Sequence, residues 1–156
     1  MERIDPEKAR SVWQRVQNTA PGTAREQGLG ELIAQEWTGA ATYLLLARRM
    51  QGKSATLLRT IHQQEMANVS CLKGIYTLLT GNRPAVQAVP PSPEDPQIAL
   101  RHCYGREMHS LAQYENRSSD PEFGQVFARL AAQKRDHCRL VLELLGSLKT
   151  PRPAGK

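Results

Sequence analysis

The chain has 156 residues, of which 40% are hydrophobic and 5% aromatic, and it carries a formal net charge of +6. This length fits one domain that buries a single core without help from disulfides. No aromatic-interleaved basic stripe and no recognisable binding motif accompany the positive charge, so the composition argues against a nucleic-acid partner.

The N-terminus and the cysteines indicate the compartment. The first residues, Met-Glu-Arg-Ile-Asp-Pro, lack an apolar signal region, and no window approaches the roughly 18 uncharged apolar residues of a membrane span. Cys71, Cys103 and Cys138 lack the Cys-x-x-Cys spacing of zinc and rubredoxin sites, so we interpret them as reduced core residues. We therefore expect a cytoplasmic protein without a membrane partner.

Two helices are predicted before the first tight turn. A short helix covers residues 5–18, where Asp5 can act as N-cap and Pro6 suits the first helical position. Apolar or small residues then recur at steps of three and four over residues 29–50, which predicts a long helix. Gly52 is expected to end it.

The next segment predicts a second long helix followed by an extended strap. Ser54 can cap this helix, its apolar stripe continues to residue 79, and Gly81 closes it. Residues 82–96 contain five prolines, so they cannot be helical. The strap is long enough to cross a helical bundle from end to end.

The second half predicts two further long helices and a tail. Inward positions run over residues 100–114 in the third helix and 123–148 in the fourth, and Ser119 or Asp120 can cap the fourth. Residues 149–156 are expected to form a basic tail. Short loops within each helix pair and one long crossover between the pairs are typical of ferritin-like bundles. We therefore predict an all-α fold: a short N-terminal helix and loop over 1–24, and a ferritin-like four-helix bundle over 25–148.

Each of the four long helices carries polar residues on its apolar stripe. A charged group in a core costs several kcal/mol unless an ion or an opposite charge neutralises it, so the site is expected where these residues meet. In chain order they are Glu36 with Tyr43, Glu65 with Asn68, Glu107 with Tyr114, and Lys134 with His137.

The two halves of the chain also resemble each other. Glu36 and Glu107 each precede a tyrosine by seven residues, which is two helical turns, so each pair shares a face. The segment Glu-Met-Ala-Asn at 65–68 aligns with Lys-Arg-Asp-His at 134–137. Internal duplication is the simplest interpretation.

This constellation resembles the di-metal carboxylate site of the ferritin-like superfamily, and of its rubrerythrin-related members in particular. Such bundles use one glutamate from each of two helices and Glu-x-x-His from each of the other two. The resemblance covers about residues 25–148 and implies that Glu36, Glu65, Glu107 and His137 are metal ligands, with Tyr43 and Tyr114 behind them. It also implies iron or manganese, in preference to zinc, and chemistry with dioxygen or peroxide.

Two positions depart from that pattern, since Asn68 stands where histidine would be and Lys134 where glutamate would be. Three carboxylates and one ammonium leave a net charge of −2, which balances one divalent ion. We therefore predict that Lys134 takes the place of one metal, pairing with Glu107 or Glu65, and that at most one ion binds. The alternative is a metal-free interaction module with a buried lysine–glutamate cluster.

Partners and outlying residues complete the sequence-based prediction. A homodimer is expected, and redox activity would need an external electron donor because no rubredoxin module is encoded. His62 lies one turn before Glu65 but one position off the core stripe, so it is interpreted as a surface residue. His102 and His109 flank the inward positions of the third helix and receive the same interpretation.

Overall fold

The structure is a computed structural model that describes residues 24–87, 89–91 and 94–149, together with Glu7. The predicted N-terminal helix over 5–18 and the tail beyond residue 149 therefore lie outside the described residues, apart from Glu7. Within the described part the chain is all-helical and contains no strand. The four helices are α1 (Ala24–Arg49), α2 (Gly52–Thr80), α3 (Pro96–Arg117) and α4 (Gly124–Lys149).

The helices form two antiparallel hairpins. Helix α1 packs along α2 and α3 packs along α4, while contacts between α1 and α3 and between α2 and α4 join the hairpins. Arg49 Nη1, at the end of α1, donates to the Glu94 carbonyl oxygen just before α3, at 2.5 Å. Because α3 begins where α1 ends, these two helices are antiparallel. The strap therefore runs from one end of the bundle to the other, as predicted.

Two apolar layers fill the bundle and are separated by a polar one. Their positions follow from the predicted stripes, although Leu46 rather than Leu44 completes the stripe of α1 and Leu148 is largely exposed. One layer consists mainly of Tyr43, Leu46, Ala47, Leu58, Ile61, Leu100, Cys103, Val141 and Leu144. The other consists mainly of Leu29, Leu32, Ile33, Val69, Leu72, Ile75, Tyr114, Phe127 and Leu130.

The helix ends show where local sequence sets the boundaries. Gly81 adopts a φ of +72° and its N–H donates to the Thr77 carbonyl, so it closes α2 as predicted. Asp120 Oδ1 accepts from the N–H groups of Glu122 and Phe123 just before α4, as an N-cap does. The predicted Ser54 cap is wrong. Helix α2 already begins at Gly52, two residues before Ser54. The φ of +66° at Gly52, which glycine adopts readily, lets the chain turn into the helix there without a side-chain cap.

No helix in the described part of the chain has both the length and the apolar character needed to cross a lipid bilayer. The three cysteines are free thiols. Cys103 and Cys138 are buried and Cys71 is half-buried, which fits their interpretation as core residues.

Candidate metal centre

The polar residues predicted from the four stripes converge between the two apolar layers. We call the six residues from the aligned positions the central cluster. All of them are buried, with exposed fractions between 0% for His137 and 5% for Asn68. The members are Glu36, Glu65, Asn68, Glu107, Lys134 and His137.

The Lys134 ammonium lies among the three glutamates of the central cluster. Its Nζ is 2.8 Å from Glu36 Oε1, 3.1 Å from Glu65 Oε1 and 3.2 Å from Glu107 Oε2. The sequence predicted pairing with Glu107 or Glu65, whereas the shortest contact is to Glu36. The reason is geometric, because α1 supplies Glu36 at the height where the lysine side chain from α4 ends. One buried cation thus contacts three buried anions.

Tyr43 of α1 and Tyr114 of α3 each donate a hydrogen bond to the glutamate of the other helix. Tyr43 Oη donates to Glu107 Oε1 at 3.0 Å, and Tyr114 Oη donates to Glu36 Oε1 at 2.7 Å. In an antiparallel pair this exchange follows from the sequence, because each glutamate precedes its tyrosine by the same seven residues. The two bonds hold both carboxylates in place.

A second exchange links α2 and α4. Gln64 Oε1 lies 2.6 Å from His137 Nε2, and Asn68 Nδ2 donates to Gln133 Oε1 at 2.5 Å. Sequence reasoning missed both glutamines. A signal was present, since each directly precedes one of the two aligned four-residue segments. When Nε2 of His137 donates to Gln64, the neutral imidazole presents the lone pair of Nδ1 to the central cluster.

Glu65, Glu107 and His137 form what we call the carboxylate–histidine triad. His137 Nδ1 is 3.3 Å from Glu107 Oε2 and 3.7 Å from Glu65 Oε1. One ligand atom from each residue lies within 4.8 Å of the others, which is close enough to surround a single ion. Glu36 is not in this group, because both of its oxygens contact Lys134. The predicted ligand set is therefore divided between the triad and the lysine.

Within the described residues, Glu65 Oε2 and His137 Nδ1 are buried without a hydrogen-bond partner, and Glu107 Oε2 has no hydrogen bond but an ion-pair contact with Lys134 Nζ at 3.2 Å. Buried polar groups are nearly always satisfied, and exceptions call for an explanation such as a ligand. Carboxylate oxygens and imidazole nitrogen are donors that iron, manganese and zinc accept. The triad therefore has the donor types of a site for one cation, and the Lys134 ammonium already contacts Glu65 Oε1 and Glu107 Oε2.

The pKa values of the two carboxyl groups in the triad shift in opposite directions. Burial raises the pKa of Glu65 well above its ordinary value, although the Lys134 ammonium opposes this. Burial would also raise the pKa of Glu107, but the neighbouring Glu65 and His137 side chains and the Lys134 charge lower it well below its usual range. The glutamates overcome the burial of Lys134 and raise its pKa. Glu65 therefore retains a proton more readily than Glu107 does.

Gly39 makes room for the Glu65 side chain. It lies three residues after Glu36 on α1, and a Cβ at this position would collide with the Glu65 carboxylate. Only the absence of a side chain allows that carboxylate to reach the triad. Sequence reasoning did not identify this residue, since a helical glycine has many explanations.

The outlying histidines are not part of the central cluster. His62 is half-buried, and its Nδ1 lies 2.7 Å from the carbonyl oxygen of Ala40 on α1. His102 is exposed and contacts Glu94, and His109 is also exposed. Neither His102 nor His109 reaches the triad, as predicted.

No known protein-family model matches this chain, and no curated protein has a sequence significantly similar to it.

Proposed function

We propose that the chain is a ferritin-like bundle, related to the rubrerythrins, that binds one divalent metal ion through Glu65, Glu107 and His137. The Lys134 ammonium takes the place of the second ion of a di-metal site. The observation that carries this proposal is His137 Nδ1, a buried nitrogen without a hydrogen-bond partner among the described residues, which lies 3.3 Å from Glu107 Oε2. Such atoms are costly unless a ligand engages them.

Charge balance supports a single ion. Three glutamates and one ammonium carry a net charge of −2 when Glu65 is ionised, and a divalent ion neutralises it. Without the ion, the raised pKa of Glu65 keeps a proton in the cluster. Metal binding is therefore coupled to loss of that proton, as is general for sites whose ligands must be deprotonated.

The residues around the triad have defined tasks in this proposal. Gln64 orients His137 so that Nδ1 faces the ion, as supporting groups do in many metal sites. Tyr43 holds the other oxygen of Glu107. Three protein ligands leave positions for water or a substrate. With iron or manganese bound, the ion would supply redox chemistry toward peroxide or dioxygen, with electrons from an external donor.

A metal-free scaffold is the second candidate, and the contacts of Lys134 favour it. One ammonium already touches all three glutamates, and a protonated Glu65 removes one further charge. The cluster could then serve only to specify the fold, with the bundle acting as an interaction module. In either case we propose a cytoplasmic homodimer.

The experiment loads the protein anaerobically with one to three equivalents of ferrous, manganous or zinc ion, removes free metal, and measures bound metal by elemental analysis. We expect one ion per chain. The variant His137→Ala should weaken binding by more than the 10–100-fold that supporting residues typically cost, whereas the control His62→Ala should bind like the parent. Peroxide added to the ferrous form then tests turnover through the change in absorbance.

The results separate the two candidates. One stoichiometric ion lost only in His137→Ala supports the metal centre. No retained metal in the parent supports the scaffold, and two ions per chain would contradict the role of Lys134.

A further inference from the structure

A cavity outside the bundle core lies between α1, α3 and the strap. Its volume is about 190 Å³. Thr38 and Thr42 of α1 form one side, Pro90 and Pro91 of the strap form another, and Arg106 of α3 lies at its wall. It is smaller than the 300–1,000 Å³ typical of sites for drug-sized ligands, so it suits a small molecule.

Arg106 brings a guanidinium to this cavity. The side chain is half-buried, and within the described residues it forms no ion pair with a carboxylate. Its Nη2 donates to Cys103 Sγ at 3.3 Å, and its buried Nε has no acceptor. Burial raises the pKa of the Cys103 thiol to about 12, so that group is neutral and does not balance the guanidinium. Partly buried charges are normally paired.

The acid in the lining is not paired with Arg106. Glu94 brings a negative charge to the cavity, but its carboxylate contacts His102 Nδ1 at 3.0 Å and not the guanidinium. A shallow groove beside the cavity shares His102 and Arg106 and adds Arg101 and His109. Both added residues are basic or can become so, which makes the local potential more positive.

The remaining lining indicates what kind of anion fits. Val89, Pro90 and Pro91 of the strap and Ala99 of α3 present apolar surface beside the guanidinium. A planar guanidinium matches a carboxylate with two parallel hydrogen bonds. We propose that this cavity binds a small organic carboxylate, whose charged end contacts Arg106 and whose apolar part lies against the strap. The site is separate from the metal centre and does not depend on it.

The test titrates the full chain with benzoate and butyrate, with benzamide as the neutral counterpart and inorganic phosphate as an anion without an apolar part. Binding is followed by calorimetry and by amide chemical shifts. We expect one saturable site for a carboxylate, at least tenfold weaker binding of benzamide and phosphate, and shifts centred on Thr38, Ala99 and Arg106. Arg106→Gln should weaken carboxylate binding at least about tenfold.

Arg129→Gln is the matched control, since it removes the same charge from an exposed position on α4 that lines neither the cavity nor the groove. It should change affinity less than twofold. An equal loss in Arg129→Gln and Arg106→Gln, or phosphate binding as tightly as benzoate, would overturn the proposal. If Arg106→Gln does not fold, the carboxylate affinity of Arg106→Lys and the chemical-shift changes in the parent protein test the proposal instead. Chemical-shift changes remote from the cavity would also overturn the proposal.

Discussion

Lys134 is stable in the core because three carboxylates surround its ammonium. Any one of these groups alone would pay a large desolvation penalty, and their mutual attraction offsets it. Removing the ammonium leaves the three acids facing each other across a few ångströms. Lys134 therefore stabilises the central cluster, and in the proposed function it also limits the number of bound ions.

Lys134→Met should cost roughly 3–5 kcal/mol of unfolding free energy at neutral pH, since it breaks a buried ion cluster while keeping the side-chain length. Burial already raises the pKa of Glu65 well above its ordinary value, and loss of the ammonium, which opposes that shift, raises it further. Stability from a raised pKa is present below the unfolded value and is lost as pH rises through the folded value. The deficit should therefore be small near pH 4 and grow toward pH 7, as measured by urea unfolding.

The control for this prediction is Lys53→Met, which removes an exposed lysine from α2. A surface substitution should change stability by less than about 0.5 kcal/mol at either pH. Equal losses in the two variants, or a deficit independent of pH, would show that the glutamates do not rely on Lys134.

At the scale of the elements, one glycine of α1 leaves room for a side chain of α2. Gly39 faces Glu65 across the first hairpin, and the carboxylate occupies the space that a Cβ would fill. By contrast, a Cβ at Gly30 on the same helix would meet nothing within 4 Å. The two helical glycines therefore differ in what they do for the fold.

Gly39→Ala should lower the unfolding free energy by about 1–3 kcal/mol, because overpacking forces Glu65 out of position. It should also weaken metal binding if Glu65 is a ligand. Gly30→Ala, the control on the same helix, should raise stability by about 0.5–1 kcal/mol, since alanine favours helix. Thermal and urea unfolding of both variants provide the measurement, and a stabilised Gly39→Ala would contradict the packing described here.

At the scale of the whole molecule, the two hairpins have the same residue types at equivalent site positions, with two exceptions. Two kinds of contact each occur twice. A tyrosine bonds a glutamate in both directions between α1 and α3. A glutamine contacts Asn68 in one direction and His137 in the other between α2 and α4. Asn68 and His137 are therefore equivalent positions, as are Glu65 and Lys134. The departure from symmetry is what limits the proposed site to one ion.

Restoring the symmetry should restore the second ion. Asn68→His combined with Lys134→Glu adds an imidazole and a carboxylate and removes the ammonium. We therefore expect the metal content, measured by elemental analysis, to rise from one ion per chain to two. Ala67→His with Arg135→Glu introduces the same residue types at neighbouring exposed positions and should leave one. A double variant that still binds one ion would mean that the two segments have been aligned wrongly.

Much of the fold could be predicted because helical periodicity is a local property. The three- and four-residue spacing fixed which faces are buried, and the prolines of the strap placed the crossover. The polar residues on those faces, from Glu36 to His137, were identified by the same rule, since a charged residue on a core stripe is visible without any knowledge of its neighbours. The short N-terminal helix over 5–18 stays a prediction.

The partners of those residues could not be predicted. Whether Lys134 contacts Glu36 most closely, and whether Gln64 orients His137, depends on how four helices rotate and translate against one another. The cavity beneath the strap, and the position of Arg106 in it without a carboxylate partner among the described residues, arise only when distant segments meet. By itself the sequence determined four amphipathic helices and the polar residues on their stripes, because these depend on spacing along one chain. Only the tertiary structure decided which charges neutralise each other, because Coulomb interactions and hydrogen bonds act over a few ångströms between separate helices.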